Sequence, residues 1–442
     1  MKLRLIYLIG FFVYTQGYWE RFTPIPAKGI LEILMLLLTI FYFRPKNKKS
    51  VFLFLAVLAV GCFSALNTST IVNFFKHIRF LFYSYVLIDV LQQCSISISQ
   101  FRKLFKFYVF MVLLQGIAAG FQVFILHDRV EGYVGMMSSL GGTTATAFPV
   151  MIISLTTVVF CFSKSLNRKW NLLMILIVLS MFLVGYSSGK RAIYYLIPLC
   201  AILGMIVSYR IAQKNHIRLG MKKIYFFIVL FLLCVPLFFY GVTNSLGYSS
   251  GLTGNETKSE VLIKMWEYTQ NYEQAEMDGV TTGRSNTTEQ LLTVAFTDMN
   301  FLLFGDGFLK DKDEDAISQR GIGYGFVGFT RDLLTGGIVF SILTIIFLFN
   351  LILRKDYGIN DAFSKSLRAI LVLVLIFIHF FYSADFTLSL KMTCVLALIV
   401  SFTNSYNYYH IKHTVLKTYL IHRSELSSNE KSKEIYAYIY GH

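Results

Sequence analysis

Charged side chains are scarce in this sequence: they make up 15% of its 442 residues, while hydrophobic residues make up 55%. A soluble globular chain has about a quarter of its residues charged. Cysteine is also sparse, and no two of the six cysteines have the CxxC spacing of zinc and redox motifs. These absences argue against a soluble enzyme, a disulfide framework and a zinc site.

Long uncharged runs dominate the chain instead. Each approaches the ~20 residues that a helix needs to cross a bilayer, and backbone groups in lipid must pair within the segment, so these runs are predicted to be helices. The fold class is therefore all-α, a polytopic integral membrane protein with about twelve spans. The spans are expected near residues 4–19, 27–43, 51–66, 72–92, 104–126, 144–163, 170–186, 190–209, 224–243, 326–353, 366–384 and 386–403.

One polar stretch, residues 241–323, interrupts the hydrophobic pattern. It contains a helix signal: Asn286 is followed three residues later by Glu289, which resembles a capping box, and the apolar Leu291 and Ala295 continue the pattern. The expected organisation is spans 1–9 in residues 1–243, a large loop with short helices in 244–325, spans 10–12 in 326–403, and a tail in 404–442.

Lysine and arginine are distributed unevenly between the two sides of the membrane. Most of the 41 Lys and Arg fall in the connectors on one side, which also holds both termini. The positive-inside rule then places both termini in the cytoplasm and the 244–325 loop outside. Topology thus explains the net charge of +16, and no nucleic-acid partner is expected.

Several cations lie on the outer side, against this charge bias. Lys190 and Arg191 open the eighth span directly after Ser187-Ser188-Gly189, which is interpreted as the cap of that helix. Free backbone N–H groups beside two cations are typical of a phosphate site, although the same pair also fits cations that reach to lipid headgroups. The other outer cations are Lys76, Arg79, Arg284, Arg320, Arg331 and Lys391.

Lys76 and Arg79 share a helix face, because they are three residues apart. They fit either anion binding or an anchor at the membrane interface. Glu32 lies near the outer end of the second span and is expected to pair with one of these outer cations, since charges within spans are usually paired.

A group-transfer reaction also needs a base that accepts a hydroxyl proton. The polar stretch contains no histidine, and His379 stands alone on its span, where a core histidine is the default interpretation. Asp332 is kept as a candidate base, with a simple ion pair to its neighbour Arg331 as the alternative. The acidic run 311–315 lacks the Gly and Glu of a calcium loop, so no metal site is predicted. The other candidate bases are Glu289, Asp298, Asp306 and Asp385, the last of which also fits a simple turn residue.

Three stretches form a recognisable order. Residues 184–192 place Ser-Ser-Gly-Lys-Arg before a span, residues 283–307 run from Gly-Arg through a helix to Phe-Gly-Asp-Gly, and residues 334–340 hold a glycine pair after the large loop. In this order and placement they resemble the bacterial O-antigen and capsule repeat-unit polymerases (the Wzy type), which are related to the O-antigen ligases. The likeness covers the second half of the chain.

The resemblance implies a GT-C-like glycosyltransferase of the bacterial inner membrane that uses no nucleotide sugar and no cofactor. It implies donor and acceptor oligosaccharides linked to undecaprenyl pyrophosphate in the outer leaflet, with membrane lipid and a chain-length regulator as further partners. Arg191 and Arg284 match the arginines thought to hold the donor pyrophosphate. The further substrate-binding residues expected are Lys190, Lys76, Arg79, Arg320 and Arg331.

Two other functions stay open. A ligase-like transferase is disfavoured because residues 323–329, where the chain re-enters the membrane, lack the histidine that the ligases place there. A repeat-unit flippase is disfavoured because one large loop after the ninth span breaks the symmetry of two related halves that is common in transporters.

Overall fold

The structure is a computed structural model. It describes residues 2–23, 26–93, 98–127, 134–137, 142–162, 168–190, 192–217, 219, 276–277, 280–281, 283–308, 326–353, 362–382 and 394–397, together with single residues and pairs between 225 and 263. The tail 404–442, most of the loop 244–325 and most of the predicted ninth and twelfth spans lie outside the described residues.

Helices occupy ten of the predicted spans. They are α1 (Lys2–Phe22), α2 (Ala27–Tyr42), α3 (Lys48–Asn67), α4 (Ile71–Gln92), α5 (Ile98–Phe124), α6 (Gly142–Phe162), α7 (Arg168–Ser188), α8 (Ala192–Lys214), α11 (Gly328–Leu353) and α12 (Ala362–Phe377). Two further helices, α9 (Arg284–Thr297) and α10 (Met299–Phe304), lie within the predicted loop. Short elements complete the set: a 3-10 turn (Gly135–Met137), a π-turn (Ile378–Tyr382) and the antiparallel strands β1 (Glu276–Met277) and β2 (Val280–Thr281).

Eight helices in the described part of the chain are long and apolar enough to cross a membrane. They are α3 to α8, α11, and α12 with its π-turn. The helix α2 is 16 residues long, short of the ~20 that a perpendicular span needs. The protein is therefore a helical, polytopic membrane protein, while the count of twelve spans stays a prediction.

Small residues let neighbouring spans approach closely. A Cβ atom added to Gly116 on α5 would lie 2.3 Å from the Cβ of Ser180 on α7, and one added to Gly204 on α8 would lie 3.0 Å from Cγ2 of Thr157 on α6. Such contacts are typical of membrane helices, where close van der Waals packing replaces the hydrophobic effect as the source of association. They tie α5 to α7 and α6 to α8.

Hydrogen bonds between α3 and its neighbours show which helix ends lie together. Ser64 Oγ donates to the carbonyl of Phe304, at the end of α10. At the other end of α3, Asn350 Nδ2 on α11 donates to Ser50 Oγ at 2.8 Å. The helices α3 and α11 are therefore antiparallel, and we call the end of the bundle that carries residues 283–308 the loop end.

A glycine divides α11 into two half-helices. Gly337 has φ 79° and ψ 179°, a conformation that is almost exclusive to glycine. The end of α10 fits into this kink: a Cβ on Gly337 would lie 2.1 Å from the carbonyl oxygen of Leu303. Just after α10, the N–H of Asp306 donates to the carbonyl of Leu334 at 2.7 Å. The short loop helices are thus docked on the first half of α11.

A small apolar cluster, separate from the main core, holds this docking together. It joins α9, α10 and the start of α11, and consists of Leu291, Ala295, Phe301, Phe326, Leu333 and Leu334. The predicted helical pattern of Leu291 and Ala295 is confirmed, since both side chains are buried one turn apart on α9.

Candidate functional site

Arg284 is the first residue of α9. Gly283 precedes it with extended backbone and no side-chain cap, and Thr287 Oγ1 donates to the Gly283 carbonyl at 2.9 Å. A cation at this position is unfavourable toward the positive end of the helix dipole. The face of Tyr382 offsets this cost, because the guanidinium carbon of Arg284 lies 4.3 Å from the centre of that ring.

The capping box expected at Asn286 is wrong. The helix begins two residues earlier, at Arg284, so Asn286 is already in the first turn. Glu289 is exposed on the second turn of α9. The correction places Arg284 inside the first turn, beside backbone N–H groups that have no partner within the helix.

Tyr382 connects three elements at the loop end. It ends the π-turn that follows α12, its ring supports Arg284 of α9, and its hydroxyl lies 2.9 Å from Oγ1 of Thr146 on α6. Thr146 is itself buried, one turn into α6. The arginine is therefore held over the point where α6 and the end of α12 meet.

A buried acid–histidine pair lies next to this point. Nε2 of His379, in the same π-turn as Tyr382, is 3.6 Å from Oδ2 of Asp332 on α11. The side chains are only 2% and 1% exposed. Neither ring nitrogen of His379 makes a hydrogen bond in the described part of the chain. Two titratable groups from different spans thus face each other where little solvent screens them.

Aromatic and hydroxyl side chains border the pair. Phe329 stacks on Phe380 with ring centres 5.4 Å apart, and Phe380 contacts the ring of His379 edge-on at 5.4 Å. Thr335 Oγ1 donates to the backbone carbonyl of Asp332 at 3.1 Å. These bordering side chains are mainly apolar, so they exclude water from the pair of Asp332 and His379 and strengthen any charge interaction there.

The interpretation of Ser187-Ser188-Gly189 as the cap of the eighth span is wrong. Ser187 and Ser188 are the last residues of α7, and their hydroxyls donate backward to the carbonyls of Val184 and Gly185 at 3.0 and 3.1 Å. Serine can cap a following helix or bond to the preceding turn with the same hydroxyl, so the sequence alone did not separate the two.

Gly189 and Lys190 close α7 with a Schellman turn. Gly189 has φ 65°; its N–H donates to the carbonyl of Tyr186, and the N–H of Lys190 donates to the carbonyl of Gly185, both at 3.3 Å. The next helix begins at Ala192, not at residue 190. Lys190 is half-buried and lies between the two helices, at the loop end.

The expected pairing of Glu32 is confirmed. Oε2 of Glu32 lies 3.2 Å from Nη1 of Arg79, and the Arg79 guanidinium also lies 4.9 Å from the ring centre of Phe80. Lys76 is exposed one turn before Arg79. The pair of Glu32 and Arg79 joins α2 to α4. The Arg284 site is built from other elements, namely α6, α9, α11 and the π-turn.

The remaining predicted site residues fall into two groups. Arg331 is half-buried on α11, next to Asp332. Arg191, Arg320, Asp385 and Lys391 lie outside the described residues, so their roles stay predictions. The structure thus connects Arg284 and Asp332 through the π-turn, which carries both Tyr382 and His379.

His379 and Tyr382 are the residues that the sequence analysis missed. His379 is not alone, as its neighbour Asp332 is 47 positions earlier in the chain. One signal could have found the pair: Asp332 lies near the outer start of one predicted span and His379 near the outer end of the next, so the two are at similar depth.

Within the described ranges, no three His, Cys, Asp or Glu side chains gather as a metal site. The arrangement offers a guanidinium in the first turn of a helix, an aromatic support and a buried imidazole next to a carboxylate. Such groups can hold an anion and move a proton. Neither a protein-family model nor a curated protein sequence matches this chain.

Proposed function

We propose that the protein is a polysaccharide polymerase. It transfers a growing glycan from undecaprenyl pyrophosphate onto an incoming lipid-linked repeat unit, at the outer leaflet of the bacterial inner membrane. In this proposal the chain has twelve spans, both termini are cytoplasmic, and residues 244–325 form the large extracytoplasmic loop. The reaction uses no cofactor, since the sugar arrives already activated by its pyrophosphate.

The observation that carries the proposal is the contact of Arg284 with Tyr382, which lies in the same π-turn as the His379 that faces Asp332. A helix N-terminus with a guanidinium is a favourable site for phosphate, because N–H groups and a fixed positive charge point to the same place. In the transfer step the pyrophosphate leaves with additional negative charge. A guanidinium held in place by Tyr382 stabilises that charge as it develops.

The depth of the site fits a lipid-linked substrate. Asp332 is the fifth residue of α11, so it lies about 6 Å from the start of that helix. His379 is three residues before the end of the π-turn. A ligand with its tail in the bilayer and its pyrophosphate near the surface reaches this depth without crossing the membrane.

The resemblance to the polymerases gains support from the packing of two of its three stretches. Residues 283–307 and 334–340 are separated by 26 residues, and α10 and the segment after it dock on the Gly337 kink. This docking places the segment that begins with Arg284 over the half-helix that carries Asp332. Motifs that meet in space favour one shared site over unrelated sequence matches.

The test is polysaccharide chain length in a strain that lacks the protein and is complemented with variants. Arg284→Ala is expected to abolish the long-chain ladder and leave carriers with a single unit in the outer leaflet. Arg284→Lys is expected to recover little, because an ammonium cannot form the two parallel hydrogen bonds of a guanidinium. Arg210→Ala, at an exposed arginine near the end of α8, is the matched control. A normal ladder from Arg284→Ala contradicts the proposal.

A proton-coupled flippase for repeat units is the second candidate function. The observation in its favour is again the pair of Asp332 and His379, because buried acid–histidine pairs within spans are typical of proton relays in transporters. The location of the unpolymerised units separates the two. A flippase defect traps them in the inner leaflet, whereas a polymerase defect leaves them outside.

A further inference from the structure

Asp332 and His379 are titratable side chains that face each other inside the spans. We propose that His379 is the general base of the transfer reaction and that Asp332 is the residue that positions its ring. This inference rests on the proposed polymerase function and assigns the base within it. It replaces Asp332 as the expected base.

The chemistry of the two groups favours this division of roles. Imidazole is the side chain that most often serves as a general base, because one ring nitrogen can hold a proton while the other accepts one. The carboxylate of Asp332 faces Nε2 of His379. A proton on Nε2 directed to this carboxylate leaves the lone pair on Nδ1 to accept the proton of a hydroxyl group.

The distance between the two groups agrees with a site that tightens on binding. Nε2 and Oδ2 are 3.6 Å apart, beyond a hydrogen bond. A movement of about 0.7 Å would bring them to the usual N–H···O distance. Catalytic hydrogen bonds are often long without substrate and shorten in the substrate complex.

In the proposed step, one bond forms, one bond breaks and one proton is transferred. The acceptor hydroxyl oxygen forms a bond to the anomeric carbon of the donor glycan while its proton passes to Nδ1 of His379. The bond from that carbon to the pyrophosphate oxygen breaks, and its electron pair leaves with the pyrophosphate, which Arg284 stabilises. The imidazolium stays next to the Asp332 carboxylate and later returns its proton to water or to the released pyrophosphate.

Access to the ring requires movement, because both nitrogens of His379 are buried. The stacked rings of Phe329 and Phe380 border it, and Phe380 is partly exposed at 36%. The acceptor therefore opens this aromatic pair as it enters. Covering the base before the substrate arrives keeps out water, which would otherwise compete with the acceptor hydroxyl and release free glycan.

The experiment uses the full chain in lipid nanodiscs with radiolabelled, undecaprenyl-pyrophosphate-linked repeat units. Polymer is measured while donor and acceptor are varied. His379→Ala and His379→Gln are expected to lower kcat by about 10²-fold to 10⁴-fold with little change in donor KM. Free imidazole is expected to restore part of the activity of His379→Ala only, since glutamine fills the space.

Asp332 is tested by conservative replacement. Asp332→Asn is expected to lower kcat and leave donor KM unchanged, because the ring loses its orienting charge while Arg284 still holds the pyrophosphate. Asp332→Glu is expected to recover part of kcat, which a purely structural role would not predict for a longer side chain in a packed place. Thermal unfolding of each variant is measured to check that the fold is kept.

His77→Gln is the matched control. His77 lies near the loop end on α4, where its ring packs on Phe308 and Phe340. This variant is expected to polymerise like the wild type. Equal kcat in wild type and His379→Ala, absence of imidazole rescue, or a loss seen only in donor KM overturns the assignment of the base. A wild-type protein that forms no polymer refutes the proposed function itself.

Discussion

Replacing Gly337 with alanine tests the docking of α10 on α11. The added methyl carbon would lie 2.1 Å from the carbonyl oxygen of Leu303 and 2.6 Å from the amide nitrogen of Phe304. Both are backbone atoms, so no side-chain rotation relieves the overlap. The backbone of Gly337, at φ 79° and ψ 179°, is also one that alanine rarely adopts.

The expected loss of stability follows from these two costs. A non-glycine residue in this conformation costs about 1–3 kcal/mol, and pushing packed backbone apart costs about 1–3 kcal/mol more. The sum, about 2–6 kcal/mol, is a large part of the stability of about 5–15 kcal/mol that proteins have. At about 1 °C per kcal/mol for a chain of 442 residues, we expect the melting temperature to fall by about 2–6 °C.

The assay is thermal unfolding of the purified protein in detergent, with Gly120→Ala as the matched control. A Cβ at Gly120, on α5, would meet Leu183 Cδ1 only at 3.7 Å, an ordinary contact. Alanine there is expected to stabilise the helix by roughly 0.5–1 kcal/mol. If Gly337→Ala melts at the same temperature as Gly120→Ala, α10 does not occupy the kink and the placement of Arg284 over α11 is refuted.

Two further predictions concern charged contacts. Tyr382→Leu removes the ring under Arg284, a contact worth about 0.5–2 kcal/mol, so donor KM is expected to rise about 2-fold to 30-fold. Tyr382→Phe loses only the hydroxyl partner of Thr146, and its donor KM is expected to stay near that of the wild type. Equal donor KM values for the two variants would contradict the cation–π support. A double-mutant cycle of Glu32→Gln with Arg79→Gln, read by chemical unfolding, is expected to give a coupling of about 0.2–1 kcal/mol, because both side chains are partly exposed. A coupling of zero would show that the pair does not form.

Most of the span pattern could be predicted from the sequence, because bilayer thickness and backbone hydrogen bonding leave helices as the solution for long apolar runs. The predicted range 144–163 became α6 (Gly142–Phe162), and 72–92 became α4 (Ile71–Gln92). Helix ends were harder to predict, since Ser187 and Ser188 can bond forward or backward. The kink at Gly337 was hidden in an apolar run that reads as one continuous span.

Half of the candidate site was visible in the sequence. Arg284 was selected because it is a cation on the predicted outer side, where few are expected, and Asp332 because it is a charge at the boundary of a predicted span. A partner for Glu32 among the outer cations was predicted because charges within spans are usually paired, and the structure identifies it as Arg79. That argument also applies to His379 and Asp332, but a lone histidine carries no fixed charge that demands a partner. Contact between side chains from separate spans depends on helix rotation, which hydropathy does not determine.

The division of α11 at Gly337 separates two mechanical units. The first half shares a backbone hydrogen bond with the segment after α10, while the second half is tied to α3 through Asn350 and Ser50. Because Ser64 on α3 also donates to the carbonyl of Phe304 at the end of α10, α10 braces the first half, with Asp332, against the helix that holds the second half. The angle at Gly337 therefore sets where Asp332 lies relative to α3, through a residue that touches neither substrate.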